Sequence, residues 1–532
     1  MDRKKLAYVL LFITLVLFGC KKKENTYTEG TQMKNITYWF DHSSVKTRPG
    51  SKAGELSSYK AYLAKNEYET VQFVLLTDVN EDNLTLEITR FSDSKGNTME
   101  AEILQLYYIE TRRGEFYPDP AVPLTGGFSL EANKNQPFLI KIKSTKTTPE
   151  GEYSAALTLC ANGELVFETK IQAKVWDFSL PDTPSCATYM LINEDSIAKA
   201  HGIVLESQIP PLFGKYYDFL LDNKISTQTL PYDLLSPAAD SYLKNPQMTS
   251  FGVPYGGGDE LIGRLYEKLS SIPEAFNKGV FYVLDEPTEK HQYDEISAGF
   301  DRLDSLYPGG RILTPFFRNI KINDTDNIGY MTGKIKVWCP KTYMFDNKDI
   351  YQGGAAISDP PFEERMAERK AAGDCLWWYV CWEPGEPFLN LYVDMPGIMH
   401  RLLFWQQKLY GVDGFLYWCV NYWPQVDDPW EDMRTVKNLS PDVFGDGSLL
   451  YNGSKVGING PVGSLRIENI REGIDDFEYL CIAEKLFGIE FAENYIKRLT
   501  ENLTHYTTDD NKLIDTRIEL GNEIEKASRL LN

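Results

Sequence analysis

The sequence predicts a multidomain β plus α/β protein: an N-terminal antiparallel β-sandwich, then a (β/α)8 TIM-like barrel, then a C-terminal helical extension. Three observations predict it. Short alternating strands bounded by turns fill residues 35–180. After the breaker-rich Leu180-Pro181-Asp182-Thr183-Pro184, apolar runs alternate with helical stretches over 185–465. From 466 to 532 the pattern is helical. The chain has 532 residues, 42% of them hydrophobic, enough for two or three domains with large cores.

The first segment is a leader. Arg3, Lys4 and Lys5 precede an apolar stretch, 6–18, too short for a comfortable membrane span. Leu17-Phe18-Gly19-Cys20 then reads as a lipobox, with cleavage before Cys20 and lipidation of its thiol. Residues 1–19 are thus expected to be a lipoprotein signal peptide and 20–34 a flexible tether. The expected place is the envelope of a diderm bacterium, lipid-anchored at the outer membrane, with the anchor as the only membrane contact.

In the sandwich, residues 69–76, 137–142 and 153–159 alternate apolar and polar, and Pro149-Glu150-Gly151 turns the chain before the last of them. In the barrel, eight strands are expected at 186–192, 227–231, 251–255, 280–285, 311–317, 334–340, 375–381 and 414–420. Helical stretches such as 261–269, 363–372 and 395–409 fall between them. In the last segment Phe477, Leu480, Ala483, Leu486 and Phe487 form a stripe expected to pack on the barrel.

Composition excludes several functions. The net charge is −21, and loss of the leader, which carries +2, leaves −23. A surface so acidic disfavours nucleic acid and anionic lipid and suits a neutral substrate. The cysteines are scattered and the five histidines lack metal-ligand spacing, so no metal is expected. No phosphate loop or other cofactor motif occurs, and no cofactor is expected.

The most informative segment is Phe281-Tyr282-Val283-Leu284-Asp285-Glu286-Pro287. An apolar run ends in two carboxylates and a breaker, so Asp285 and Glu286 fall at the C-terminal end of the fourth strand, where such barrels build their sites. The following proline biases Glu286 toward an extended backbone. The blander reading is a solvated strand end that caps the next helix. Other strand ends are aromatic: Trp338 and Tyr343 at the sixth, Trp377, Trp378, Tyr379 and Trp382 at the seventh, and Tyr417, Trp418, Tyr422 and Trp423 at the eighth, with Asn421 among them. Aromatic faces stack on sugar rings, so this rim suits a carbohydrate. Side chains alternate along a strand, which sends about half of them into the helix layer, and the sequence does not say which half. Trp338, Tyr343, Trp378, Tyr379, Trp418 and Asn421 are the candidate sugar contacts. Asp374, Glu383, Glu386, Asp427 and Asp428 are spare carboxylates, any of which could be a second acid.

With these segments in hand, the chain resembles glycoside hydrolase family 123, a β-N-acetylgalactosaminidase family with a sandwich before a barrel. The resemblance rests on Asp285-Glu286-Pro287, on Trp377-Trp378-Tyr379 and on Gly411-Val412-Asp413-Gly414-Phe415-Leu416-Tyr417-Trp418. It rests also on Asn66-Glu67-Tyr68-Glu69, on Tyr117-Pro118-Asp119-Pro120 and, most specifically, on residues 466–480. It implies an exo-acting hydrolase that removes terminal β-GalNAc from glycans or glycolipids, the substrate's own 2-acetamido oxygen attacking the anomeric carbon. Asp285 would stay ionised and hold the acetamido N–H, and Glu286 would be acid and then base. Those roles need opposite protonation states. Two other readings stay open: a two-carboxylate glycosidase pairing Glu286 with Asp374, Glu383 or Asp427, and a non-catalytic glycan-binding surface lipoprotein.

Overall fold

The computed structural model describes residues 35–112, 114–346 and 360–531. The leader, Cys20 and the tether lie outside the described residues. Among those described, no helix is long and apolar enough to cross a membrane.

Alternation along the early strands produces two runs of β structure over one core. In Gly151–Ala161, Tyr153, Ala155, Leu157 and Leu159 are buried while Ser154 is exposed. That strand pairs antiparallel with Glu164–Ser179 and with Glu81–Ile88. The other run places Ile36–His42 beside Tyr68–Thr77, then Gln136–Lys143, then Thr98–Glu110, all antiparallel. Phe40, Phe73 and Ile140 from one run meet Leu86, Leu157 and Ile171 from the other. One pairing departs from the antiparallel expectation, because Tyr59–Lys65 runs parallel to Glu164–Ser179.

The sheet does not end at residue 180. Pro461–Ser464 pairs with Phe116–Pro123, and Tyr451–Asn452 pairs with Pro461–Ser464. Two strands from the region assigned to the barrel by sequence therefore extend the N-terminal sheet.

Seven parallel strands form the second sheet: Ala187–Met190, Phe251–Gly252, Gly279–Tyr282, Ile312–Phe316, Val337–Pro340, Cys375–Val380 and Gly414–Tyr417. The last pairs with the first, Ala187 opposite Gly414. The remaining gap is spanned at Thr227 and Gln228, where an extended strand was expected. Thr227 bridges Met190, the Gln228 N–H donates to the Met190 carbonyl (2.8 Å), and the Gly252 N–H donates to the Gln228 carbonyl (2.7 Å). The result is a near-barrel with a single bridge at its second position. Tyr189, Val280, Leu313, Val337, Trp377 and Leu416 fill the interior. Helices Asp259–Ser270, Lys290–Leu306, Phe362–Ala371 and Gly397–Leu409 lie between successive strands.

In the helix Leu465–Phe487 the expected stripe packs into the buried cluster through Phe477, Leu480, Ala483 and Leu486, while Phe487 is exposed, but the burial goes well beyond a stripe. The helix is buried on all sides from Leu465 to Leu480, charged residues included. Those charges are paired. Arg401 of the preceding helix forks onto Asp476 (2.6 and 3.0 Å) and reaches Glu472 (2.8 Å). Arg517 of the last helix donates to Asp476 (2.8 Å) and to Glu67, in the turn before the strand Tyr68–Thr77. Arg471 holds Glu468, Lys141 of the sheet reaches Glu468 (3.2 Å), and Lys224 holds Asp475. Arg466 pairs with Asp119 at 2.8 Å. Buried charges survive only when paired in this way.

Burial pushes Glu67 up to about 7 and Glu69 up to about 8, with the Arg517 guanidinium pulling each back. A carboxyl raised on folding holds a proton more firmly in the native state, so its contribution to stability is full below about 4.5 and is lost as pH rises to about 8. Glu69→Gln cannot ionise. The melting temperature of Glu69→Gln relative to wild type should therefore rise between pH 5 and pH 8.5, and a constant difference would show that Glu69 does not titrate there. Asp476→Ala strips a carboxylate from two buried arginines and should cost about 3–5 kcal/mol in denaturant unfolding.

Candidate active site

The strand Gly279–Tyr282 stops three residues short of Asp285. Asp285 and Glu286 sit in a bend, and Glu286 takes a φ of +41°. The extended backbone expected before Pro287 is not adopted. The left-handed conformation costs a side-chain-bearing residue about 1–2 kcal/mol, and such strain persists where the surroundings over-determine it.

The two neighbouring carboxylates have different partners. Asp285 Oδ1 accepts from the Tyr282 hydroxyl at 2.6 Å. Burial pushes its carboxyl above the ordinary range; the Tyr282 hydroxyl opposes that, and the charge of Glu286 adds to it. Glu286 Oε1 accepts from the Tyr379 hydroxyl and lies 3.4 Å from Lys341 Nζ. Lys341 directly follows the strand Val337–Pro340 and is buried. Its ammonium sits over the rings of Phe317 (5.1 Å) and Tyr379 (5.3 Å). Burial works against its charge, but the Cys381 thiol, Glu286 and Glu383 outweigh burial and hold it above its ordinary range.

Trp418 is fixed from behind. Its Nε1 donates to Asp446 Oδ2 (3.0 Å), and the Tyr417 hydroxyl donates to Asp446 Oδ1 (3.0 Å). Burial pushes Asp446 up to about 6. Gly447 lies against the indole: a Cβ there would stand 2.2 Å from the ring, and φ is +65°. Only glycine meets both conditions.

Three adjoining cavities open at this end of the parallel sheet. One of about 200 Å³ is lined by Asp285, Glu286, Tyr379, Trp382, Trp418 and Leu439. One of about 260 Å³ shares Tyr282, Asp285 and Trp418 with it. A third, of about 450 Å³, shares Tyr189, Gln228 and Tyr282 with the second.

Of the residues picked out by sequence, Asp285, Glu286, Tyr379 and Trp418 meet here. Four others do not. Val337 and Cys339 face the interior, which turns Trp338 outward, where its Nε1 donates to Asp374 (3.0 Å). Trp377 faces inward, so Trp378 packs among the helices against Phe345 and Tyr410. Tyr343 is buried and lines none of these cavities: its hydroxyl donates to the Phe317 carbonyl (3.1 Å) and its ring lies behind Lys341, 5.8 Å from Nζ. Asn421 is a clamp: its side chain accepts from the Asn193 N–H (2.7 Å) and donates to the Asn193 carbonyl (2.9 Å). Among the spare carboxylates, Asp374 lies beneath Trp338 and pairs with Lys336 (3.2 Å), and Asp427 lines a separate cavity with Trp423. Glu383 alone of the three proposed partners shares the field of Lys341 and Glu286, and burial raises its carboxyl.

Sequence reasoning missed Tyr282, Lys341 and Asp446. Tyr282 stands three residues before Asp285, a legible spacing. Lys341 reads as an ordinary lysine after a strand. Asp446 lies in a long connection without periodicity. Among the described residues no group of histidine, cysteine and carboxylate side chains could hold a metal ion.

Residues 334–483 match the family model for the glycoside hydrolase 123 catalytic domain. The match takes in Lys341, Tyr379, Trp418 and Asp446 and begins after the Asp285-Glu286 pair. No curated protein matches the chain. A family 123 glycoside hydrolase from Clostridium perfringens, described for glycolipid glycan hydrolysis, superposes with a TM-score of 0.65 at 14% identity, over 93% of this chain and 98% of that one. A family 39 glycoside hydrolase from Bacteroides cellulosilyticus gives a TM-score of 0.31 at 11% identity, over 74% of this chain and 82% of that one, too low to carry an argument.

The strain at residue 286 is open to measurement. Glu286→Gly should be more stable than Glu286→Ala by about 1 kcal/mol in thermal unfolding, because glycine takes a positive φ freely. Equal stabilities would show that the backbone there is relaxed.

Proposed function

We propose that this chain, a glycoside hydrolase of family 123, is an exo-acting β-N-acetylhexosaminidase that cleaves terminal β-GalNAc from glycans or glycolipids by a substrate-assisted, retaining mechanism. The observation that carries this reading is the pair of carboxylates on one strained bend, each held by its own tyrosine. Two carboxylates that flank a glycosidic bond from opposite sides ordinarily come from different strands. Neighbours on one bend suit a reaction in which the substrate supplies the nucleophile.

In the first step the acetamido carbonyl oxygen bonds to the anomeric carbon and the glycosidic C–O bond breaks. Glu286 gives its proton to the departing oxygen. Asp285 accepts the acetamido N–H and steadies the positive oxazolinium; Tyr282 donates to its ionised form and so works against burial. In the second step water bonds to the anomeric carbon as the oxazolinium oxygen leaves it, Glu286 takes the water's proton, the acetamido group is restored, and the anomeric hydroxyl has β configuration. Lys341 and Tyr379 fix the Glu286 carboxyl through both steps. Trp418, locked by Asp446, offers a ring face to the sugar. Cys20 would tether the enzyme to the envelope through a lipid.

A two-carboxylate alternative is favoured by one observation, the closeness of Glu383 to Lys341 and Glu286. Chromogenic β-GalNAc, β-GlcNAc and β-galactose glycosides separate the readings. Hydrolysis should require the acetamido group, and Glu286→Gln and Asp285→Asn should each lose at least about 10²-fold in kcat. Cleavage of the β-galactoside would remove the substrate-assisted mechanism. Affinity for the sugars without turnover would point to a binding protein.

The pH profile tests the role of Asp285. It acts ionised, so kcat/KM should fall as pH drops through its raised pKa. Tyr282→Phe deletes a donor to the ionised form, so the acid limb should move to higher pH. An unmoved limb would assign it to another group.

A further inference from the structure

The groove continues on the side away from the leaving group. On the reading above, on which this inference rests, the departing oxygen lies at Glu286. That residue lines only the smallest cavity, so the leaving group exits past Tyr379 and Trp382. The cleaved sugar then occupies the central cavity between Tyr282, Asp285 and Trp418. An enzyme confined to unsubstituted terminal sugars would close the far wall of that cavity. Here the far side opens, past Tyr189 and Gln228, into the cavity of about 450 Å³. That size is within the range of ligand pockets, about 300–1,000 Å³.

The larger cavity is built for a hydroxylated ligand. Tyr189, only 2% exposed, stands where the two cavities meet, with the Gln228 side chain beside its hydroxyl. Gly252 keeps this corner open, since a Cβ there would stand 2.9 Å from Gln228 and 3.0 Å from the Tyr189 hydroxyl. Farther out, half-exposed Tyr232 and Tyr255 supply ring faces. Glu194 and Asp233 add carboxylates. They accept from sugar hydroxyls and repel anionic substituents.

We infer that this cavity is a second sugar subsite, which takes a neutral hexose attached to the non-reducing side of the cleaved N-acetylhexosamine. The substrate class then extends beyond terminal residues to chains capped by such a hexose, from which the enzyme releases a disaccharide.

The test compares an aryl β-GalNAc glycoside with the same glycoside carrying β-linked galactose on its 3-hydroxyl. Wild type should cleave the extended glycoside at the GalNAc–aryl bond, with kcat/KM within about tenfold of the shorter one. Tyr232→Ala should lower kcat/KM about tenfold for the extended glycoside only, the scale of one ring contact, and Tyr232→Phe should restore it. If loss of the Tyr232 ring, which packs near Tyr242 (6.2 Å), unfolds the protein, Glu194→Gln provides the same comparison. An uncleaved extended glycoside, or equal losses on both, would overturn the subsite. If wild type cleaves neither, the proposed reaction fails and binding decides the subsite. Calorimetry with free Galβ1-3GalNAc should then show affinity that Tyr232→Ala or Glu194→Gln weakens, and an unchanged affinity would overturn it.

Discussion

The buried charge network around the helix Leu465–Phe487 is the constraint on which the remaining architecture depends. Five segments meet there: the N-terminal sheet through Asp119, Lys141 and the turn residue Glu67, the stretch after the helix Ile209–Asp222 through Lys224, the helix Gly397–Leu409 through Arg401, the long helix itself, and the last helix through Arg517. A network of this kind is costly if any member is missing, because the partners stay charged in a medium that solvates them poorly. It gives direction instead of general adhesion: each guanidinium fork donates to its carboxylates in one orientation. Its satisfaction is incomplete: among the described residues Asp475 Oδ2 and Arg471 Nε have no hydrogen-bond partner, and Glu69 Oε2 has the Arg517 guanidinium at 3.3 Å.

The network reaches the site through Arg466. One guanidinium holds Asp119 and also donates to the carbonyls of Leu391, Gly445 and Ser448. Gly445 and Ser448 flank Asp446 and Gly447, which together fix Trp418. A carboxylate of the N-terminal sheet is thereby linked, through one arginine and one loop, to an aromatic wall beside Asp285. The sheet is part of what shapes the cavity.

Much of this was legible in the sequence, and what was not has physical reasons. Most of the seven parallel strands show as apolar runs because a strand covered on both faces is apolar throughout. That same continuity hides orientation. Trp377 and Trp378 read alike, and only the parity of the strand sends the first to the interior and the second to the helices. The bend at Glu286 was misread because the proline preference is local, whereas Tyr379 and Lys341 act on that carboxylate from residues far along the chain. Three of the segments behind the family resemblance are 66–69, 117–120 and 466–480. They meet each other in the charge network, so their pattern records how the chain is assembled, while the cavity is lined by residues scattered among strand ends.

The strand Pro461–Ser464 pairs with Phe116–Pro123 although some 340 residues separate them. During synthesis the N-terminal sheet is made first, and this edge stays open until nearly the whole polypeptide has left the ribosome. An open edge invites pairing with other chains. Pro118, Pro120 and Pro123 lie on that strand and lack the N–H groups a stray partner would need. The nascent protein thus carries its own guard against misassembly during the interval before its late strand arrives.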